Sequence, residues 1–119
     1  MKVIIAGSRS VKKLATVEKA INLALASKPR LHIDEVVSGT ARGVDQLGEE
    51  FADKHSITIK RFPADWDTHG RSAGYKRNVV MARYADALIA IWDGKSRGTA
   101  HMIDIAREHN LLTVLIKVK

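Results

Sequence analysis

Ala87-Leu88-Ile89-Ala90-Ile91-Trp92 is an unbroken apolar run, closed by the turn residues Asp93-Gly94 and followed by Met102, Ile105 and Ala106 at helical spacing. A strand wet on one face alternates apolar and polar side chains. A strand covered on both faces reads as a continuous apolar run, the habit of parallel sheets lying under helices. Working outward, the same unit of run and then period recurs along the chain. Val3 to Ala6 precedes Leu14, Val17, Ile21, Ala24 and Leu25, and Glu35 to Ser38 precedes Val44, Leu47, Phe51 and Ala52. Ile57 to Phe62 precedes Val80, Met81 and Tyr84, and Leu112 to Val118 is the last run. This alternation predicts an α/β fold, a Rossmann-like three-layer sandwich with a mostly parallel sheet of about five strands and helices on both faces.

The 119 residues are one domain's worth, so residues 1–119 are expected to form a single domain. A composition that is 45% hydrophobic and 28% charged excludes a disordered or collagenous chain. Cysteine is absent, which removes disulfides, thiolate catalysis, zinc fingers and iron-sulfur clusters together, and neither a metal nor a cofactor is expected. Lys and Arg number 20 against 13 for Asp and Glu, and the resulting +7 favours phosphate-bearing or polyanionic partners. No apolar run approaches the ~20 residues of a membrane span, and Lys2-Val3-Ile4-Ile5-Ala6 is too short for a signal peptide. A cytoplasmic protein with no membrane partner is the expectation.

In open parallel sheets, ligands bind beyond the carboxyl ends of the strands, so the strand-to-helix loops are the segments to inspect. The first carries Gly7, Ser8, Arg9 and Ser10, a small-residue turn with a guanidinium suited to phosphate, or equally a solvated turn. The second, Ser38-Gly39-Thr40-Ala41-Arg42-Gly43-Val44-Asp45, is a candidate anion cradle, because glycines permit close approach and a helix N-terminus follows. Bland roles exist there too: Thr40 as an N-cap, Asp45 as a first-turn acid and Arg42 as a surface charge. The third, Phe62 to Asn78, is long for such a loop and concentrates Asp65, Trp66, Tyr75 and Arg77, with Trp66 and Tyr75 placed either to stack on a base or to anchor the loop. Arg77 precedes Val80 and Met81 by helical steps and so falls on the sheet-facing side, where it meets a ligand phosphate or a carboxylate such as Asp65 or Asp93. The fourth carries Trp92, Asp93, Gly94, Lys95, Ser96, Arg97, Gly98 and Thr99, with a helix expected to begin near Thr99 and His101 as a surface or capping histidine. The P-loop, the dinucleotide fingerprint G-x-G-x-x-G, H-E-x-x-H and G-x-S-x-G are all missing, which argues against the enzyme classes they mark.

Gly7-Ser8-Arg9 and Ser38-Gly39-Thr40-Ala41-Arg42-Gly43-Val44-Asp45 resemble the G-S-R and S-G-x-A-x-G-[IV]-D pattern of the Smf/DprA proteins. Phe62-Pro63-Ala64-Asp65-Trp66, Gly74-Tyr75-Lys76-Arg77-Asn78 and Trp92 through Thr99 resemble the YspA-like, cpYpsA-related branch of the same superfamily, SLOG, which also holds the LOG-type nucleotide phosphoribohydrolases. The resemblance spans nearly the whole chain. It implies a Rossmann-like sheet, a homodimer, and binding of a nucleotide or a nucleotide-derived ligand of NAD or ADP-ribose type. Some members of the superfamily cleave an N-glycosidic bond. Arg77 with Ala85-Asp86 matches an Arg and an Ala-Asp of the LOG enzymes, whereas Met102 stands where their catalytic Glu lies.

Cleaving that bond through an oxocarbenium-like transition state needs a carboxylate near the anomeric carbon. Asp45, Asp65 and Asp93 are the residues that could stand in for the Glu, and Arg77, Asp45 and Asp93 are the catalytic candidates. Residues expected to touch the ligand are Gly7, Ser8, Arg9, Ser38, Gly39, Thr40, Arg42, Gly43, Asp45, Asp65, Trp66, Arg77, Asn78, Trp92, Asp93, Gly94, Ser96, Arg97, Gly98 and Thr99. Two other functions compete. A DprA-like binder of single-stranded DNA, a nucleic-acid partner, suits the +7 charge, although only 5% aromatic residues provide little stacking platform. A ligand-sequestering or scaffold protein without catalysis suits Met102.

Overall fold

The computed structural model describes residues 1–118. Five strands, β1 (Lys2–Gly7), β2 (Glu35–Ser38), β3 (Thr58–Arg61), β4 (Ala87–Trp92) and β5 (Leu112–Lys117), form one sheet in the order β3-β2-β1-β4-β5. All neighbours pair in parallel, with Val3 opposite Val36 and Ala87, and Leu88 opposite Thr113. The helices are α1 (Leu14–Ser27), α2 (Val44–Lys54), a short α3 (Trp66–His69) running into a 3-10 turn at Gly70–Ser72, α4 (Ala73–Tyr84) and α5 (Arg97–Glu108).

Because side chains alternate across a strand, each central strand feeds two cores. Val3, Ile5, Val36, Ile89 and Ile91 meet Val17, Ile21 and Ala24 of α1 and Val44, Phe51 and Ala52 of α2. Ile4, Ala6, Val37, Leu88 and Ala90 meet Met81 and Ala82 of α4 and Met102, Ile103 and Ala106 of α5. The result is the three-layer sandwich that the apolar runs predict. Among the described residues, no helix is long and apolar enough to cross a membrane. The chain adds β2 and β3 on one side of β1 and β4 and β5 on the other. The loops leaving β1 and β4 therefore diverge to opposite faces and open a crevice at the carboxyl ends of these strands.

Several local expectations are corrected. The segment after β3 is not an open loop: Asp65 Oδ1 accepts from Thr68 N at 3.1 Å and starts α3, and α4 begins at Ala73, so Arg77 sits in the second turn of its helix. Val80 is 47% exposed, because it falls on the far side of α4 from the buried Asn78, Met81 and Ala82, and Met81 alone of that pair faces the core. α5 begins at Arg97 rather than near Thr99, since Ser96 is its N-cap and its side chain accepts from Thr99 N. Thr40 caps nothing: the N-cap of α2 is Gly43, with no side-chain hydrogen bond.

Candidate functional site

At the switch in strand order, the loop after β1 is sewn to β4. Ser8 N donates to Ile91 O at 3.0 Å, and Ser8 Oγ accepts from Asp93 N at 2.9 Å. The loop after β2 is equally fixed. Buried Ser38 accepts from Thr40 N at 3.1 Å and donates to Glu49 at 2.7 Å, and Glu49 takes the Arg61 Nε–H at 2.8 Å. Thr40 is held at φ 65°, a region that β-branched residues rarely occupy. Gly43, at φ 79°, lies so close to Ser8 that a side chain there would strike the Ser8 carbonyl.

Between these loops lie Asp45 and Arg77. Asp45 is 5% exposed, and its Oδ2 accepts from Ala41 N at 3.1 Å. Burial raises its pKa from 3.8 to about 6, with Glu49 adding to the rise and the N–H groups of Ala41 and Gly7 and the charge of Arg77 opposing it. Arg77 Nη1 donates to Gly39 O, and Nε donates to Asn78 Oδ1 at 3.2 Å. Burial pulls the Arg77 pKa below its ordinary value, Asp45 opposing this and Arg9 adding to it. A Cβ on Gly39 would lie 2.7 Å from Arg77 Nη1 and 2.8 Å from Asp45 Oδ2, so only glycine lets the two charges flank this backbone. The sheet-facing Arg thus approaches Asp45 rather than Asp65 or Asp93.

These groups line a crevice of about 750 Å³. It brings together Gly7, Arg9, Gly39, Thr40, Arg42, Asp45, Trp66, Arg77, Asn78, Ser96, Gly98 and Thr99 of the expected residues. Trp66 and Tyr75 are 53% and 43% exposed, and Gly74 brings the Trp66 indole and the Arg77 guanidinium to one point. Buried Met102 lies in the lining where the resemblance predicts a carboxylate to be missing.

The other expected residues lie outside the lining, and all but Arg97 have visible local work. Ser8, Ser38 and Gly43 hold the loops as described. Asp65 caps α3, Trp92 Nε1 donates to Ser96 O at 3.0 Å, and Gly94 turns the chain at φ 84°. Arg97 is the exposed first residue of α5. Asp93 accepts from Lys95 N and Ser96 N at 2.8 and 3.0 Å, and these N–H groups, with smaller help from Ser8 and Ser10, lower its pKa to about 2. It therefore stays ionised while Asp45 is poised to hold a proton.

Sequence reading missed Ala6, Ala41, Gln46, Pro63, Ala64, Arg71, Gly74 and Met81 in the lining. Pro63, Ala64, Arg71 and Gly74 all fall in the long segment that the sequence singles out. His101 is half-buried rather than superficial, with its ring centroid 4.5 Å from that of Tyr75. Among the described residues, no group of three or more His, Cys, Asp or Glu side chains could hold a metal ion.

The family model that matches residues 1–69 describes a YspA, cpYpsA-related SLOG family. A curated protein of Mycobacterium phage D29, named Gene 61 protein, is 35% identical over 113 residues, which cover 90% of this chain and 89% of that protein. No solved structure matches.

Proposed function

The chain belongs to the YspA, cpYpsA-related SLOG family, and on that premise we propose that its crevice binds a nucleotide-derived ligand of NAD or ADP-ribose type at the carboxyl edge of the sheet. Nucleotide-related ligands go with the family in general. The narrower reading rests above all on Arg77, a guanidinium on the buried side of α4 whose Nη1 is tethered to the glycine loop at Gly39. A charge there is desolvated in return for a partner, and a planar guanidinium beside a glycine-rich loop and the start of α2 offers a phosphate paired N–H donors. Exposed Trp66 and Tyr75 at the same crevice supply faces on which a base can stack.

A hydrolytic reading is favoured by one observation. Asp45 is the carboxylate among the described lining residues, and its pKa of about 6 suits a group that gives or takes a proton near neutrality. In that reading Asp45 replaces the Glu whose place Met102 fills, and it assists departure of the base from an N-glycosidic bond.

The test is thermal denaturation with AMP, NAD and ADP-ribose at two salt concentrations, for the native protein and for Arg77→Ala. A ligand at a hundred times its Kd stabilises by about 2.7 kcal/mol. Stabilisation of the native protein that Arg77→Ala sharply reduces, without unfolding, supports the reading. Equal affinity in the variant overturns it. Stabilisation by a short oligonucleotide alone, fading steeply with salt, transfers the function to nucleic-acid binding. Chromatography for released base separates hydrolysis from binding.

A further inference from the structure

Arg77 spends two of its five N–H donors inside the protein, one on Gly39 O and the Nε–H on Asn78. The free donors lie on the end of the guanidinium, so the direction in which they point depends on what grips the Nε–H. Asn78 is 5% exposed and has no polar group to spare. Its Nδ2 donates to Gly98 O at 3.2 Å and lies 3.1 Å from His101 Nδ1, while Oδ1 receives Arg77. Gly98 O can only accept, which fixes which end of the amide faces Arg77. The neutral His101 ring, with its proton on Nε2, supplies the second acceptor.

We propose that Asn78 is a positioning residue, which aims the Arg77 guanidinium at the ligand phosphate and is itself aimed by Gly98 and His101 of α5. The inference rests on the nucleotide-binding reading of the crevice. An untethered arginine samples many rotamers, and ordering it on binding would subtract from affinity; the chain from α5 through Asn78 to Arg77 meets that ordering requirement before the ligand arrives. Asn78 lies in the crevice wall, yet both ends of its amide are committed to the protein, so its contribution passes through Arg77.

A double-mutant cycle with AMP and adenosine as probes tests this by calorimetry. Asn78→Ala is expected to weaken AMP about tenfold and to change adenosine affinity by less than about twofold. In an Arg77→Ala background, Asn78→Ala should change AMP affinity by less than about twofold. Equal losses for AMP and adenosine would reduce Asn78 to packing between α4 and α5. An undiminished loss in the Arg77→Ala background would mean that Asn78 acts independently of Arg77. Either result overturns the proposal. If Asn78→Ala fails to fold, His101→Ala and His101→Gln decide: the Ala variant loses AMP affinity, and the Gln variant, which retains an acceptor for Nδ2, recovers it. Equal behaviour of these two variants overturns the proposal. Failure of the native protein to bind any nucleotide overturns the nucleotide-binding reading itself. Native binding with no selective loss in the variants overturns the positioning role alone.

Discussion

Replacing Asp45 by Asn isolates the consequence of keeping a charge at the base of the crevice. The group is 5% exposed, and burial lifts its pKa from 3.8 to about 6. Each unit of displacement corresponds to roughly 1.4 kcal/mol, so the ionised carboxylate destabilises the fold by about 3 kcal/mol at neutral pH. Between these two pKa values the folded chain holds a proton that the unfolded chain has released. The contribution of Asp45 therefore improves as the pH falls through about 6 and levels off near 3.8. Asn keeps an oxygen for the Ala41 N–H and never ionises, but it forfeits the attraction of Arg77, so a net gain of about 1–2 kcal/mol at neutral pH is expected.

Urea denaturation of both proteins from about pH 7.5 to 4.5 measures the difference directly. The advantage of the variant should shrink by about 2 kcal/mol across that range. His101, whose pKa burial lowers, loses stability in the acid direction in both proteins and cancels in the difference. Asp93, whose pKa is lowered by the Lys95 and Ser96 N–H groups, and Asp65, whose pKa is lowered by the hydroxyl and then the N–H of Thr68, lose theirs only below the usual carboxylate range. Parallel pH profiles for the two proteins would refute the assignment of a buried, raised carboxyl to Asp45.

Gly39→Ala forces a Cβ to within 2.7 Å of Arg77 Nη1 and 2.8 Å of Asp45 Oδ2. Both are side-chain ends able to move, so the fold should persist while AMP binding weakens by about tenfold or more in calorimetry. Asp93→Asn should lower stability at neutral pH. The carboxylate contribution is present above 3.8 and is lost as the pH falls through about 2, so acid denaturation curves of the variant and the native protein should converge there. Trp66→Ala removes a 53% exposed ring and should leave stability within about 0.5 kcal/mol, while nucleotide affinity falls by the roughly 1–3 kcal/mol of a stacked base, read by calorimetry.

The parts of the fold that are legible in the sequence are those where burial is two-sided. β1, β2 and β4 carry apolar runs because α1 and α2 cover one face and α4 and α5 the other, and these runs are enough to predict a parallel sheet. β3 lies at an edge, with Thr58, Lys60 and Arg61 exposed, and the chain beyond it builds a four-residue helix whose start depends on one Asp65 cap, too short for any period to register. The same contrast governs the site. Helical spacing puts Arg77 on the Met81 side of α4 and thereby marks it as a charge in need of a partner. It misplaces Val80, which falls on the far side of α4 from the buried stripe of Asn78, Met81 and Ala82.

No spacing could name the partner. Asp45 and Arg77 lie on different helices, α2 and α4, on opposite faces of the sheet, and they meet only because the loop after β2 brings Gly39 between them. Local periodicity selects which residues must be explained, and the strand order decides which of them explain one another. Asn78 follows the same logic. Its polarity inside an apolar helix face signals a bonding demand, and the packing of α5 against α4 turns that demand into a grip on Arg77.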